Sequence, residues 1–471
     1  MGNTHTVKHD KIVFVTAEGA VGLTHEFVQQ YVKYMPFEVK QPVLTPRHVA
    51  LIQMNWAAIA KGTSAFDPAK HGSPDKFFHR TYYGLLFAVM PSCRAIFRSS
   101  MHLQGKSLSS VIRAMTSVMH AGDIVERMQA LATRHLAYGC EKVDYTTAGV
   151  TLMKTLEIVS GDRWTWEIKE AYLTAFCFLL YLMLPVIVHQ KPDSVSTSIP
   201  ATITAIHAAP HHSPHHVSKR VTLTHRFPLR FLPGDGIILG IPDPSTESGE
   251  RRSYFPIASF RPHASHTLDI FVDESSPEWL VHQAVVGSTL KLYWVESNEH
   301  LEVDTPASIP HDLLFLSYGV SGAAPIVAML QGMHSIRGNN GSPRGTNIVA
   351  LHCEHTAKSA EATLRLATNM QDLSHWNDCA IHCGTAVSAA KLLAIVPNPE
   401  ARELYVCGPA EFVAEAREAF RLAGGDVSRI HVSHYDNNKL NRAYHEASSR
   451  GLEPRFNLQK RKVSTTTAMA H

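Results

Sequence analysis

The sequence predicts three successive architectures: an all-α domain, then a small antiparallel β-barrel, then an α/β domain built on a parallel sheet. Three observations predict this. Between Thr45 and about Val188, apolar residues recur at helical spacing and strand-like alternation is scarce. From Val221 to about Val303, short alternating runs such as "GIILGI" and "LDIFVDES" are broken by Pro and Gly. From Asp312 to Tyr435, apolar strands ("LLFLSYGV", "NIVALHCEH", "ELYVCGP") alternate with helical stretches. A chain of 471 residues is also too long for a single core. The division read from these patterns is 1–44 N-terminal extension, 45–188 helical domain, 189–199 linker, 200–308 barrel, 309–436 α/β domain and 437–471 C-terminal tail.

In the helical part, "LTPRHVALIQMNWAAIA" opens with Thr45 as N-cap and Pro46 at the first helical position, where a missing N–H costs nothing. Further helical runs are expected at about 75–90, 104–119, 123–138, 144–159 and 165–184. The most apolar run, Ala171 to Val188, is barely long enough to span a bilayer and contains Pro185, so a buried terminal helix is the reading. A stretch rich in Pro, Ser, Thr and His follows and passes into short strands. Its His207, His211, His212, His215 and His216 could hold a metal ion. With no carboxylate or cysteine partner among them, a solvated hairpin loop is preferred. For "CAIHC" (Cys379, His382, Cys383), lacking a second pair, a helix face is preferred over a metal site.

Charged residues make up 18% of the chain and the net charge is +3, which gives no reason to expect nucleic acid as a partner. Seven widely spread cysteines, an odd number, argue for a reducing compartment rather than a disulfide framework. No apolar run with a small-residue cleavage site marks the N-terminus, so a cytoplasmic location is expected. The opening "MGNTHTVK" fits the pattern for N-myristoylation of Gly2, with Thr6 in place. One acyl chain gives weak membrane association, and only Lys8 and Lys11 stand nearby to help.

The chemistry-bearing residues of the helical domain lie in four stretches. "RHLAYG" carries His135 on an apolar helix face; "HRTYYGLLFAVMPSCRAIF" carries Tyr82, Tyr83 and Phe97. "QGKSLSSVI" puts Gln104 and Leu108 one turn apart, and "VDYTTAG" puts Tyr145 at the start of the next helix. A histidine in such a place is either a satisfied core residue or an axial ligand facing an apolar slot. The order of these motifs, from Trp56 to "WTWEIKEAYLTAF", resembles the globin domain of flavohaemoglobins over about 140 residues. The resemblance implies haem b with His135 as its proximal iron ligand. It implies Tyr83 as the distal tyrosine, by an ungapped count back from Pro91, with Gln104 beside it. Phe97 and Leu108 would pack on the porphyrin, and Tyr145 would be the proximal-side tyrosine. The family's supporting glutamate falls at about Ile187, and no acid occurs between Glu170 and Asp193.

In the second half, "RFLPGDGIILGI", "RRSYFPIASF", "LSYGVSGAAPIVAML" and "ELYVCGPAEFVAEA" follow the order of the ferredoxin–NADP reductase family, which they resemble from roughly 200 to 436. The resemblance implies FAD and NADH or NADPH as cofactors. Arg252 would meet the flavin pyrophosphate and Tyr254 would stack on the isoalloxazine. Gly319, Gly322 and Pro325 would form the nicotinamide-side loop, Cys407, Gly408 and Pro409 would close that site, and Tyr435 would be the late aromatic. The chain departs from the family at several points. Phe255 replaces a Ser or Thr, Ala324 replaces a Thr, and the glycine spacing is Gly-x-x-Gly-x-x-Pro. "ESSPEWL" replaces a Gly-Gly-x-x-Ser loop, and "SHY" replaces Glu-x-Phe.

Together the two resemblances imply a flavohaemoglobin-like nitric oxide dioxygenase, with O2 and nitric oxide as substrates and electrons from NAD(P)H through FAD. The alternative is a haem-based O2 or nitric oxide sensor whose reductase-like half is not catalytic.

Overall fold

The computed structural model of the chain describes residues 12–117, 122–192, 196–209, 217–303, 306–340, 346–366 and 379–433. The chain is multidomain: a helical N-terminal region, an antiparallel sheet, then a parallel sheet flanked by helices.

The helical region begins with three short antiparallel strands, β1 (Val13–Val15), β2 (Val21–Leu23) and β3 (Val43–Leu44), and helix α1 (His25–Tyr31). Then come α2 (Pro46–Lys61), α3 (Pro68–His71), α4 (Pro74–Val89), α5 (Met101–Ser117), α6 (Ile124–Ala137), α7 (Lys142–Ser160) and α8 (Trp166–His189). Thr45 caps α2 through its hydroxyl, which accepts from His48 N at 3.2 Å. Pro91 ends α4, and Gly139, at φ +78°, lets the chain leave α6 sharply. Helix α5 starts at Met101, three residues before the expected 104, because Ser100 and Ser297 satisfy its first turn. Helix α4 packs on α7, α6 on α8, and α2 on both α5 and α8.

Helix α8 is apolar on every side, and by length and composition it could cross a membrane. In the fold, 78% of its apolar window is buried. The segment before residue 45, whose role the sequence does not reveal, supplies the outer cover. Phe37 meets Phe176 edge-on at 5.5 Å, Tyr31 meets His189 at 6.1 Å, and the Tyr181 hydroxyl donates to Lys40 O at 2.6 Å.

The second domain has six strands: β4 (Ile199–Ala208), β5 (Ser218–Leu229), β6 (Gly236–Pro242), β7 (Glu250–Pro256), β8 (Ser265–Asp273) and β9 (Thr289–Glu296). All pair antiparallel in the order β7-β6-β9-β4-β5-β8. Where a barrel is expected, the end strands meet only through the bridge Ile257↔Ile270. One face packs a core of Ile203, Ile237, Leu239, Phe255, Ile257 and Leu268.

The third domain runs β10 (Asp312–Tyr318), α9 (Gly319–Asn340), β11 (Asn347–Cys353), α10 (Ala357–Leu366), β12 (Cys379–Gly384), α11 (Ala389–Ile395), β13 (Glu403–Cys407), α12 (Ala410–Leu422) and β14 (Ile430–Ser433). The sheet order is β12-β11-β10-β13-β14, all parallel. The strand order reverses between β10 and β13, the place where open α/β sheets bind ligands at their carboxyl ends. "CAIHC" is therefore an edge strand, not a helix face. Pairing with β11 satisfies its backbone, and strand alternation puts Cys379 and Cys383 on one face and His382 on the other, so the three do not converge. His211, His212, His215, His216, Gly2, Tyr435 and the tail lie outside the described residues.

Arg402 is fully buried under this sheet. Its guanidinium donates to Pro397 O at 2.9 Å, Leu313 O at 2.8 Å and Asn347 O at 3.1 Å, tying β10 and β11 together at their first residues. Arg402→Met keeps the stem and orphans those carbonyls. It is expected to cost about 2–4 kcal/mol, read as a lowered midpoint in urea denaturation.

Candidate functional site

His135 lies half-buried near the end of α6, its ring 5.7 Å from that of Tyr145 on α7. Burial, then the Arg134 charge, pushes its pKa down to about 4, so the ring is neutral at pH 7 and keeps a free lone pair. The Tyr145 hydroxyl is buried without a hydrogen-bond partner. Asp144, the acid next in sequence to Tyr145, accepts from Glu141 N at 2.7 Å instead. Tyr83, Leu108, Leu136 and Tyr145 share one apolar cluster, and Phe97 packs against it. Tyr83 sits edge-on to Phe97 at 5.4 Å and stacks on Phe87 at 5.8 Å, while Tyr82 lies behind it at 5.0 Å. Gln104 is half-buried on α5, one turn before Leu108. A neutral, unpaired imidazole beside an orphaned phenol is a donor set that suits an iron porphyrin.

In the second domain, β7 alternates. Arg252 and Tyr254 share the outer face, while Ser253 and Phe255 face inward opposite Leu239 and Ile237. Phe255 is therefore a core residue of the sheet. Tyr254 lies over Gly236, where any Cβ would collide with its ring. Arg252 turns to the Tyr293 ring at 4.0 Å and to Glu250 at 4.0 Å. Both contacts are at a half-exposed side chain, which leaves it free to swing to another anion.

The third domain brings its motif to the switch point. Gly319 opens α9 at φ +73°, and Pro325 follows within the helix. A Cβ on Gly322 would stand 3.0 Å from Cys407 O, so only glycine lets α9 come this close to β13. Gly408 is equally confined by Phe412 and Tyr318, and Pro409 is the N-cap of α12. Burial pushes the Cys407 thiol up to about 12, so it is a neutral neighbour rather than a nucleophile. Asn298 donates to the Tyr254 hydroxyl at 2.8 Å and to Ser433 Oγ at 3.2 Å, and Ser433 contacts Cys407 across the β13–β14 pair. Tyr254 and Cys407 are thus linked through two residues, Asn298 and Ser433. The loop position of Asn298 gives no sequence signal. One feature opposes a cofactor phosphate: Ser321, on the first turn of α9, donates to the buried Asp273 carboxylate at 2.6 Å. An anion already sits where that helix end would attract one.

The helical region docks on this same edge. Arg94 stacks over Trp294 at 4.7 Å and donates to Val295 O at 3.1 Å. Val295 N donates to Arg98 O at 2.6 Å, and Ser100 N donates to Arg230 O at 2.9 Å. Arg98 follows directly on Phe97, so the helical apolar cluster and β9 are joined by adjacent residues.

No family model matches the chain. The chain is similar to the ferredoxin reductase component of 3-ketosteroid-9-alpha-monooxygenase from Mycobacterium tuberculosis, 25% identical over 211 residues, covering 43% of this chain and 54% of that protein. The Rhodococcus rhodochrous counterpart is 26% identical over 209 residues, covering 43% and 55%. The chain spans about half the length of these curated relatives. Among solved structures it is similar to a flavohemoglobin from Malassezia yamatoensis with bound FAD and heme. That match has 15% identity and a TM-score of 0.39, over 83% of this chain and 98% of that one. A ferredoxin-NADP+ reductase from Plasmodium falciparum gives 15% identity and a TM-score of 0.38, over 50% and 96%. The chain carries a ferredoxin-reductase-like module.

Two measurements follow from this geometry. Phe255→Ser is expected to open a core cavity, lowering stability by about 2–4 kcal/mol without raising the flavin released on denaturation. A gain in flavin would place the side chain in the cofactor site after all. His135 and His79 both have pKa values pushed down to about 4 by burial. The unfolded chain takes up these protons near pH 6.5, the folded chain only near 4. Melting of the apo chain should therefore shift downward as pH falls from about 6.5 to about 4 through these two groups. His79→Gln should flatten that slope.

Proposed function

We propose that the chain is an NAD(P)H-dependent, ferredoxin-reductase-like oxidoreductase that feeds electrons to a haem held in its own helical domain. The finer reading is a nitric oxide dioxygenase of the flavohaemoglobin kind. The observation that carries the reductase reading is the Tyr254–Asn298–Ser433–Cys407 chain, which links a tyrosine that would serve the flavin to a cysteine that would serve the nicotinamide. Similarity to ferredoxin reductase components supports it. The orphaned Tyr145 hydroxyl beside the neutral His135 supports the haem reading. When bound, FAD would turn a two-electron donor into single electrons and haem would supply an iron that takes O2. The chain's own residues do the rest. His135 would offer a lone pair, Tyr83 and Gln104 would offer hydrogen-bond donors, and Phe97 and Leu108 would exclude water. Myristoylated Gly2 would add weak membrane association to a cytoplasmic protein.

A second reading, a haem-based sensor with a non-catalytic module, is favoured by one observation: the Asp273 carboxylate of β8 accepts from Ser321 at the first turn of α9. The visible spectrum of the purified full chain, supplied with haem, FAD and NADH, separates them. The enzyme predicts a Soret band, flavin absorbance and NADH-driven reduction of the haem. His135→Ala should then abolish the Soret band and leave the flavin in place. A Soret band with no flavin supports the sensor. Absence of any Soret band in the parent chain removes the haem from both readings.

A further inference from the structure

Helix α5 and the connection after β9 bring three potential ligands together at the junction between the helical region and the module. His102 Nε2, His300 Nε2 and a Glu302 carboxylate oxygen all lie within 4.8 Å of one another. The His300 ring is oriented from behind: its Nδ1 stands 2.9 Å from Asn298 O, and a carbonyl can only accept, so Nδ1 carries the hydrogen. In the neutral ring, Nε2 then presents a lone pair to Glu302 Oε1 at 3.3 Å. His102 Nε2 stands 2.8 Å from the same oxygen, buried and without hydrogen-bond alignment. Three atoms that can each bind a cation, two imidazole nitrogens and a carboxylate oxygen, thus converge on one point, where they pair through protons or through a metal ion that displaces them. The other carboxylate oxygen, Oε2, is held by Lys106 Nζ at 3.1 Å, which leaves Oε1 for one-point binding.

We propose that His102, His300 and Glu302 form a site for a zinc-class divalent cation that clasps the helical domain to the reductase-like module. Two imidazoles and one carboxylate are a borderline donor set suited to zinc, with water as a fourth ligand. Tetrahedral binding at about 2.0–2.1 Å places ligand atoms about 3.3–3.4 Å apart, within reach of small side-chain rotations from the observed spread. The backbone carbonyl behind His300 and the ammonium behind Glu302 are the outer partners that such ligands use to fix tautomer and direction. Since His102 comes from one domain and His300 and Glu302 from the other, the ion binds the docked arrangement and not the separated halves. It would fix the start of α5 two residues before Gln104. None of this depends on haem or flavin being bound.

The test uses the full chain with His211→Ser, His212→Ser, His215→Ser and His216→Ser, which removes a competing histidine-rich segment. Equilibrium dialysis against zinc chloride should give one additional equivalent that is weakened by more than about tenfold in His102→Ala, in His300→Ala and in Glu302→Gln. Cobalt(II) titrated into the unsubstituted site should give the intense visible bands of a tetrahedral centre, a readout that needs no variant to fold. Retention of the full equivalent in a His102→Ala/His300→Ala double variant overturns the proposal. So does a parent chain with no saturable site and an octahedral cobalt spectrum, which would leave the imidazoles as simple ion-pair partners of Glu302.

Discussion

A guanidinium taken out of water needs carbonyl oxygens around its edge, and Arg98 finds its partners outside its own domain. It donates to Thr197 O at 3.2 Å, to Tyr293 O at 2.8 Å and to Ser196 O, so one buried charge pins helical region, linker and β9 together. Burial, and then the neighbouring Arg94, pushes its pKa down to about 10, which still leaves it charged at neutral pH. A docked arrangement that kept Arg98 buried but lost those carbonyls would leave the charge uncompensated, at a cost of about 3–5 kcal/mol. The relative placement of the two halves is therefore set by a specific, directional contact rather than by loose apolar packing. Phe97, one residue earlier, is held by the same anchor, and so is the apolar cluster it packs against.

This anchor also decides what the outer face of β9 can do. Trp294 is covered by Arg94, and Tyr293 by Arg252. The face that would receive a flavin ring is thus bordered by two cations, which favours an electron-rich or anionic group there. The α9 end of the module has the opposite character, with Asp273 already on Ser321.

Much of the fold is legible in the sequence because it rests on periodicity: helical spacing through α2–α8, and apolar strands alternating with helices after Asp312. The misplaced "CAIHC" and the unread N-terminal strands share one cause. Strands of two to six residues carry too little pattern, and what makes them strands is a partner far away in the chain. Phe255 teaches a different lesson. Its inward direction follows from the alternation that puts Arg252 and Tyr254 outward, so two-residue periodicity already explains why an apolar ring stands where the family has a Ser or Thr. Asn298, Arg94 and Arg98 were beyond reach, since their importance comes from tertiary contact alone.

The missing acid behind His135 and the N-terminal cover are one constraint seen twice. A helix with one wet flank can carry a glutamate that reaches inward to a histidine's partner. Helix α8 has no such flank, because Phe37, Tyr31 and the segment through Lys40 close its outer side. Ile187 is buried, and a carboxylate there would be desolvated. The Tyr145 hydroxyl then has nothing to donate to, which is why it stands unpartnered. The cover thus stabilises an all-apolar α8 at the expense of polar support for His135. Packing alone, mainly the Tyr145 ring, is left to fix the imidazole's direction.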